Sequence, residues 1–137
     1  MFDLTGRNAL ITGASGGIGG AIAKALHAAG AQVTLSGTRS APLEELAREL
    51  GGNTHVLLCN LSDMEAVENL PKQATEAMGS VDILVNNAGG SSGFAPVAQM
   101  SDEAWQEAAA WILNSAFWAS RAALADMETR GYGRIIN

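Results

Sequence analysis

Short apolar runs alternate along this chain with stretches whose apolar residues recur every three or four positions. That alternation constrains the fold more than any other feature, because it is the pattern of a parallel sheet covered by helices. Asn8–Thr12 is apolar and ends at a glycine, which reads as a buried first strand. Ile18, Ala21, Ile22, Ala25, Leu26 and Ala29 then share one helix face, closed by Gly30 in the C-cap position. Residues 32–35 read as the second strand. Ser40 is expected to cap the next helix, with Pro42 in its first turn, Leu43, Leu46, Ala47 and Leu50 on one face, and Gly51-Gly52 ending it. Residues 55–59 form the third strand. Ser62-Asp63-Met64-Glu65 has the form of a capping box. The helix behind it carries Val67, Leu70, Ala74 and Ala77 inward, and Pro71 is expected to kink or shorten it. Residues 81–86, entered through Gly79, read as a strong fourth strand, and residues 90–100 as a loop. Ser101 then caps a long helix to Arg130, on the order of 40 Å at ~1.5 Å per residue. Gly131-Tyr132-Gly133 breaks it, and residues 134–137 begin a fifth strand.

Composition narrows the class of function. With 137 residues, 47% of them hydrophobic, the chain is one domain or part of one, with enough apolar material for a core. A net charge of −6 argues against a nucleic-acid partner, which needs a basic footprint, and against an anionic membrane surface. The first seven residues lack the basic run and apolar core of a signal peptide, and no apolar run is long enough to span a bilayer. Cys59, the single cysteine, has no internal partner and reads as a small buried hydrophobe. His27 and His55 have no ligand-like companions and read as structural, so no metal site is expected. A reducing, cytoplasmic location fits all of this.

Two motifs carry chemistry. Thr12-Gly13-Ala14-Ser15-Gly16-Gly17-Ile18-Gly19 joins the first strand to the first helix. There Gly13 permits a tight turn, Gly17 allows a pyrophosphate close to the backbone, and Gly19 allows close helix packing. The free N–H groups and positive end of the helix then face the anion. Taken alone, such a turn is also compatible with a plain strand-to-helix loop. The second motif, Asn86-Asn87-Ala88-Gly89, follows the fourth strand. Open parallel sheets bind ligands beyond the carboxyl ends of their strands where strand order reverses, and strands one and four flank that point. The paired asparagines offer amides to a ribose or to neighbouring backbone, so part of their role is open to a structural reading. The expected fold is therefore α/β, a Rossmann-type doubly wound parallel sheet of order 3-2-1-4-5 that stops after the fifth strand.

These two motifs, with Asp82-Ile83-Leu84-Val85 and Gly133-Arg134-Ile135-Ile136-Asn137, resemble the short-chain dehydrogenase/reductase family over essentially the whole chain. Phe2-Asp3-Leu4-Thr5-Gly6 and Asn60-Leu61-Ser62-Asp63 resemble the bacterial 3-oxoacyl-acyl-carrier-protein reductases of fatty acid biosynthesis. The resemblance implies that Gly13, Ser15, Gly17, Ile18 and Gly19 hold the pyrophosphate, that Asn60 and Leu61 lie against the adenine, and that Asn87, Ala88 and Gly89 lie near the nicotinamide-side ribose. Three departures stand out. Asn60 replaces an aspartate common in relatives, and its amide can still pair with an adenine amino group. Gly16 stands where many NADP-using relatives carry a basic residue. Ile112 occupies the place of the asparagine in the family's catalytic tetrad, and Asn114, about 200° around a helix from it, cannot simply substitute.

Cofactor choice is read at the end of the second strand. NAD-binding versions place an acid there for the ribose 2′-OH. Here the window is Ser36-Gly37-Thr38-Arg39, with no acid before Glu44. Thr38 and Arg39 can both receive a 2′-phosphate, so NADP is expected over NAD; a solvated Arg39 is the alternative. The family's catalytic Ser and Tyr-x-x-x-Lys are missing: Tyr132 is the single tyrosine, Ile136 stands four residues on, and the lysines are Lys24 and Lys72. Residues 1–137 are thus expected to be the dinucleotide-binding part of one domain, with no catalytic residue, no reductase turnover alone and a C-terminal catalytic part elsewhere. Two classes stay open: a portion of an NADP-dependent carbonyl reductase, or a non-catalytic module binding nucleotide or a partner. Self-association is expected through the 101–130 helix. Trp105, Ala109, Ile112, Ala116 and Ala119 form one stripe, Leu113, Phe117, Leu124 and Met127 widen it, and Trp111 and Trp118 fall outside it. A wide core face with two exposed tryptophans is the alternative.

Overall fold

The structure, a computed structural model, describes residues 2–90 and 95–137. Five parallel strands form one sheet of order β3-β2-β1-β4-β5: β1 Asn8–Thr12, β2 Gln32–Gly37, β3 Thr54–Leu58, β4 Ile83–Val85 and β5 Arg134–Ile136. The helices are α1 Gly17–Ala28, α2 Ser40–Leu50, α3 Met64–Met78, α4 Asp102–Ala109 and α5 Ser115–Arg130. A five-residue π-helical segment, Ala110–Asn114, joins the last two. Fold class and strand order are those expected from the alternation.

Side-chain alternation along the strands sorts the core into two layers. Ala9 and Ile11 of β1, Val33 and Leu35 of β2, and Ile83 and Val85 of β4 point to one face, where Ala23 of α1 and Leu43 and Leu46 of α2 cover them. Leu10 and Leu84 point to the other face, under Val67, Leu70 and Ala74 of α3 and Ala119, Ala123 and Met127 of α5. The registers Ala9↔Ile83, Leu10↔Leu84 and Ile11↔Val85 keep those layers aligned across the switch point.

Several local expectations are corrected. The buried face of α1 is Gly19 and Ala23, with Ile22 and Leu26 alongside, whereas Ile18 is 75% exposed and Ala21 and Ala25 also face solvent. Ala23, Ile22 and Leu26 pack toward the sheet core, and Gly19 packs on the turn after β1. Ser40 is the first residue of α2 rather than its cap; its hydroxyl donates to Glu44, and Arg39 takes the cap position. The capping box at Ser62 does not form. Asp63 caps α3 by accepting from the Ala66 N–H, because Ser62 Oγ is engaged by the Trp111 indole. Pro71 does not shorten α3, which continues for 15 residues; the ring is buried on the side facing α5. Strand β4 is three residues, shorter than expected, and β3 begins one residue earlier.

The long helix is also not uniform. Ser101 caps it as expected, accepting from the Ala104 N–H, but the π segment adds a residue to one turn and shifts the phase of everything beyond it. Of the expected stripe, Ala119 and Met127 are buried, whereas Trp105, ahead of the π segment, is exposed. The buried stripe of α5 is Ser115, Ala119, Ala123 and Met127, with Trp118 packed beside it. Trp105, Ile112, Leu113, Phe117 and Leu124 are exposed. Of the 90–100 loop, residues 91–94 lie outside the described residues, and Val97–Gln99 form a single 3₁₀ turn. Among the described residues, no helix is long and apolar enough to cross a membrane.

Candidate functional site

The turn leaving β1 is built on steric exclusion. Gly13 has φ +67°, and a Cβ there would stand 2.8 Å from the Ala88 Cα. A Cβ at Gly19 would collide with the Gly13 carbonyl and approach the Asn87 side-chain nitrogen to 2.7 Å. Gly19 therefore packs on the two rim loops rather than on the sheet itself. Beside Gly17 there is open space. Helix α1 starts at that residue with no side-chain cap and no acid in its first turn. Its hydrogen-bond ladder opens with Gly20 N–H donating to the Gly16 carbonyl, so the amides of Gly17, Ile18 and Gly19 precede it.

Thr12 ties this turn to the loop after β4. Its hydroxyl donates to the Val85 carbonyl at 3.2 Å and accepts from the Asn87 and Ala88 N–H groups, both at 3.1 Å. The Asn87 amide donates to the Thr12 carbonyl at 3.0 Å. Asn86 turns the other way, donating to Ser120 Oγ and to Asn137 Oδ1. Both asparagine side chains thus brace backbone and neighbouring elements.

Between these loops and the ends of β2 and β3 lies a cleft of about 230 Å³. Of the residues expected to bind a cofactor, Gly13, Ser15, Thr38, Asn60, Leu61, Ala88 and Gly89 line it together. Gly17 borders an adjoining groove that shares Ser15. Gly19 and Asn87 stand behind the wall. Ile18 and Arg39 are exposed and do not line the cleft; Arg39 sits where the rim becomes α2. Thr12, Ser36, Gly37, Cys59 and Trp111 also line it, and sequence reasoning did not place them there. Ser36 and Gly37 were inside the window read for cofactor choice. Trp111 carries one signal, a large aromatic off the helix stripe, which points to self-association rather than to the cleft.

Cys59 is the titratable group in the cleft. Burial, reinforced by the negative charge of Asp63, raises its thiol to about 11, so it is largely protonated near neutral pH and a poor nucleophile. Ile112 is exposed, and its Cγ1 lies 3.3 Å from where a Cβ on Gly89 would stand. Asn114 is exposed as well. Among the described residues, no cluster of His, Cys, Asp and Glu is arranged to hold a metal.

The family model described as short chain dehydrogenase matches residues 7–137. The chain belongs to that family. Its members are oxidoreductases that bind nicotinamide cofactors. Nodulation protein G of Rhizobium sp. (strain N33) is 48% identical over all of this chain and 56% of its own length. The 3-oxoacyl-[acyl-carrier-protein] reductase FabG of Rickettsia conorii is 42% identical over all of this chain and 55% of its own length. A solved structure from Sinorhizobium meliloti 1021, described as a short-chain alcohol dehydrogenase, superposes with a TM-score of 0.91 at 36% identity, over 98% of this chain and 54% of that one. The chain spans about half the length of the relatives it matches.

Proposed function

We propose that this chain is the NADP(H)-binding portion of a carbonyl reductase resembling the 3-oxoacyl-acyl-carrier-protein reductases. The observation that carries the reading is the cleft at the switch point, with an uncapped, acid-free helix start on one side and an acid-free β2 rim on the other. The open space at Gly17 suits a pyrophosphate against the amides of Gly17, Ile18 and Gly19. Asn60 and Leu61 take the adenine side, and Ala88 and Gly89 the nicotinamide-side ribose. Asn87 acts by bracing that loop. A bound nicotinamide accepts or supplies hydride; this chain's residues bind and orient it. The chain offers no tyrosine–lysine pair to move a proton, so it is inactive alone.

Thr38 and Arg39, at the end of β2, favour a 2′-phosphate over a 2′-hydroxyl. One charge-assisted contact contributes about 1.5–3 kcal/mol. Arg39→Ala should therefore weaken NADP⁺ by about tenfold or more in calorimetry while leaving NAD⁺ nearly unchanged; equal losses for both would remove the NADP preference. Steady NADPH oxidation with an acetoacetyl thioester, proportional to pure chain, would overturn the inactivity.

The second reading is a non-catalytic nucleotide- or partner-binding module, and Ile112 is the observation that favours it. An aliphatic side chain beside Gly89 supplies no group for a proton relay. Placing Asn at position 112 in a chain carrying the remaining half of a relative discriminates the two: a large gain in turnover supports the module, none supports the reductase. Self-association belongs to the same reading. Trp105, Leu113 and Phe117 are 65%, 68% and 57% exposed. A second copy covering them would appear as a concentration-dependent dimer in sedimentation.

A further inference from the structure

Among the described residues, Trp111 is the one large aromatic side chain in the wall of the cleft. It stands in the π-helical segment, half-buried, with its ring between two rim loops. The indole N–H donates to Ser62 Oγ in the loop after β3. The opposite edge, Cε3 and Cζ3, lies 3.6 Å from where a Cβ on Gly90 would stand, in the loop after β4. The indole therefore spans the gap between two rim loops. With the N–H edge engaged and the far edge beside Gly90, the surface left for a ligand is a π face.

The two ends of the cleft differ in chemistry. At the Gly13–Ser15 end are backbone amides and hydroxyls suited to phosphate. At the Asn60–Leu61 end are one carboxamide, an apolar side chain and the indole. The Asn60 carbonyl oxygen accepts from the Ser62 N–H, which leaves its amide N–H₂ available. A flat heteroaromatic ring with hydrogen-bonding edges satisfies that set, because it can stack on the indole while an edge meets the amide. Resting on the dinucleotide reading above, we infer that Trp111 is a stacking wall for the base of the bound nucleotide, and that Ser62 is its positioning residue.

Stacking one base on an aromatic side chain contributes roughly 1–3 kcal/mol by alanine substitution, which is about fivefold to a hundredfold in affinity.

The test uses a Trp105→Phe, Trp118→Phe background, in which Trp111 is the single emitter. NADP⁺ and 2′-phospho-ADP-ribose should each quench it saturably, and nicotinamide mononucleotide, which has no adenine, should not. In the wild-type background Trp111→Ala should weaken 2′-phospho-ADP-ribose at least fivefold by calorimetry. Trp111→Phe should lose less. Ser62→Ala should fall between wild type and Trp111→Ala, with nicotinamide mononucleotide affinity unchanged in all three. Circular dichroism confirms that each variant folds, and Trp111→Phe keeps the test open if Trp111→Ala does not. If the wild type binds neither adenine-containing ligand, the dinucleotide reading itself fails. If it binds both while Trp111→Ala binds as well or more tightly, Trp111 is no stacking wall, and the dinucleotide reading stands without it.

Discussion

The glycine turn after β1 and the π-helical stretch at 110–114 face the same cleft, yet they are held by opposite means. In the turn, backbone packs directly against backbone: Gly13 against Ala88, and Gly19 against the Gly13 carbonyl. Thr12 fastens the two loops with three hydrogen bonds. In the π stretch, long side chains do the work, with Trp111 reaching Ser62 and Ile112 lying over Gly89, while Ile112, Leu113 and Asn114 stay exposed. Where backbone packs on backbone, at Gly13 and Gly19, no side chain is tolerated. A wall made of side chains tolerates changes in most of them and depends on one.

The largest effect expected from this contrast is at Gly19. Gly19→Ala forces a methyl into the Gly13 carbonyl and should cost about 3 kcal/mol of stability, read as a lower urea midpoint, with loss of dinucleotide binding. A variant as stable as wild type would mean that the turn yields easily and the contrast is false.

Thr12→Val comes next. It leaves the Asn87 and Ala88 N–H groups without their acceptor, which should cost about 2 kcal/mol; Thr12→Ser should recover most of it. Equal losses for both variants in thermal unfolding would assign the effect to packing of the methyl group.

The motifs at Gly13–Gly19 and Asn86–Gly89 were legible because their constraint is on residue type. Only glycine fits at Gly13, and a left-handed turn or a close approach leaves that mark in the sequence. Strand order followed from the same motifs and the alternation. The π segment left no such mark. An extra residue in one turn needs no special side chain, so a stripe counted from Trp105 gave no sign that Trp111 lines the cleft. The caps at Ser40 and Ser62 failed for a related reason. Each serine had a competing partner, Glu44 in one case and Trp111 in the other, and the second is distant in sequence.

Cys59 sharpens the contrast through pH. Its thiol, raised to about 11 by burial and by the Asp63 charge, should react slowly with a disulfide reagent at pH 7.5 and at full speed once the chain is unfolded. The folded state holds the proton more tightly than the unfolded one. Stability is therefore unaffected below the ordinary thiol value of about 8.5 and falls as pH rises from there to about 11. Rapid labelling of native protein at pH 7.5 would mean that the rim opens far more often than its hydrogen bonds allow.

The smallest expected effect is on the outer face of the long helix. Leu113→Lys and Phe117→Glu should each change stability by less than about 0.5 kcal/mol, because both side chains already face solvent. A loss above 2 kcal/mol in either, measured by denaturant titration at low concentration, would show that this face is needed by the folded chain itself.

The position of β1 at the centre of the sheet also sets an order of events in folding. Asn8 pairs with Gln32, but Ala9 pairs with Ile83, so joining β4 closes a loop about three times as long as joining β2 and costs about 1 kcal/mol more in chain entropy. The β3-β2-β1 unit has the shorter closures and is expected to form first, with β4, and β5 on its outer edge, docking later. The cleft exists only once β4 has docked. A nucleotide bound there holds contacts that the transition state has not yet made, so it should lengthen the lifetime of the folded chain while leaving the speed of folding almost untouched.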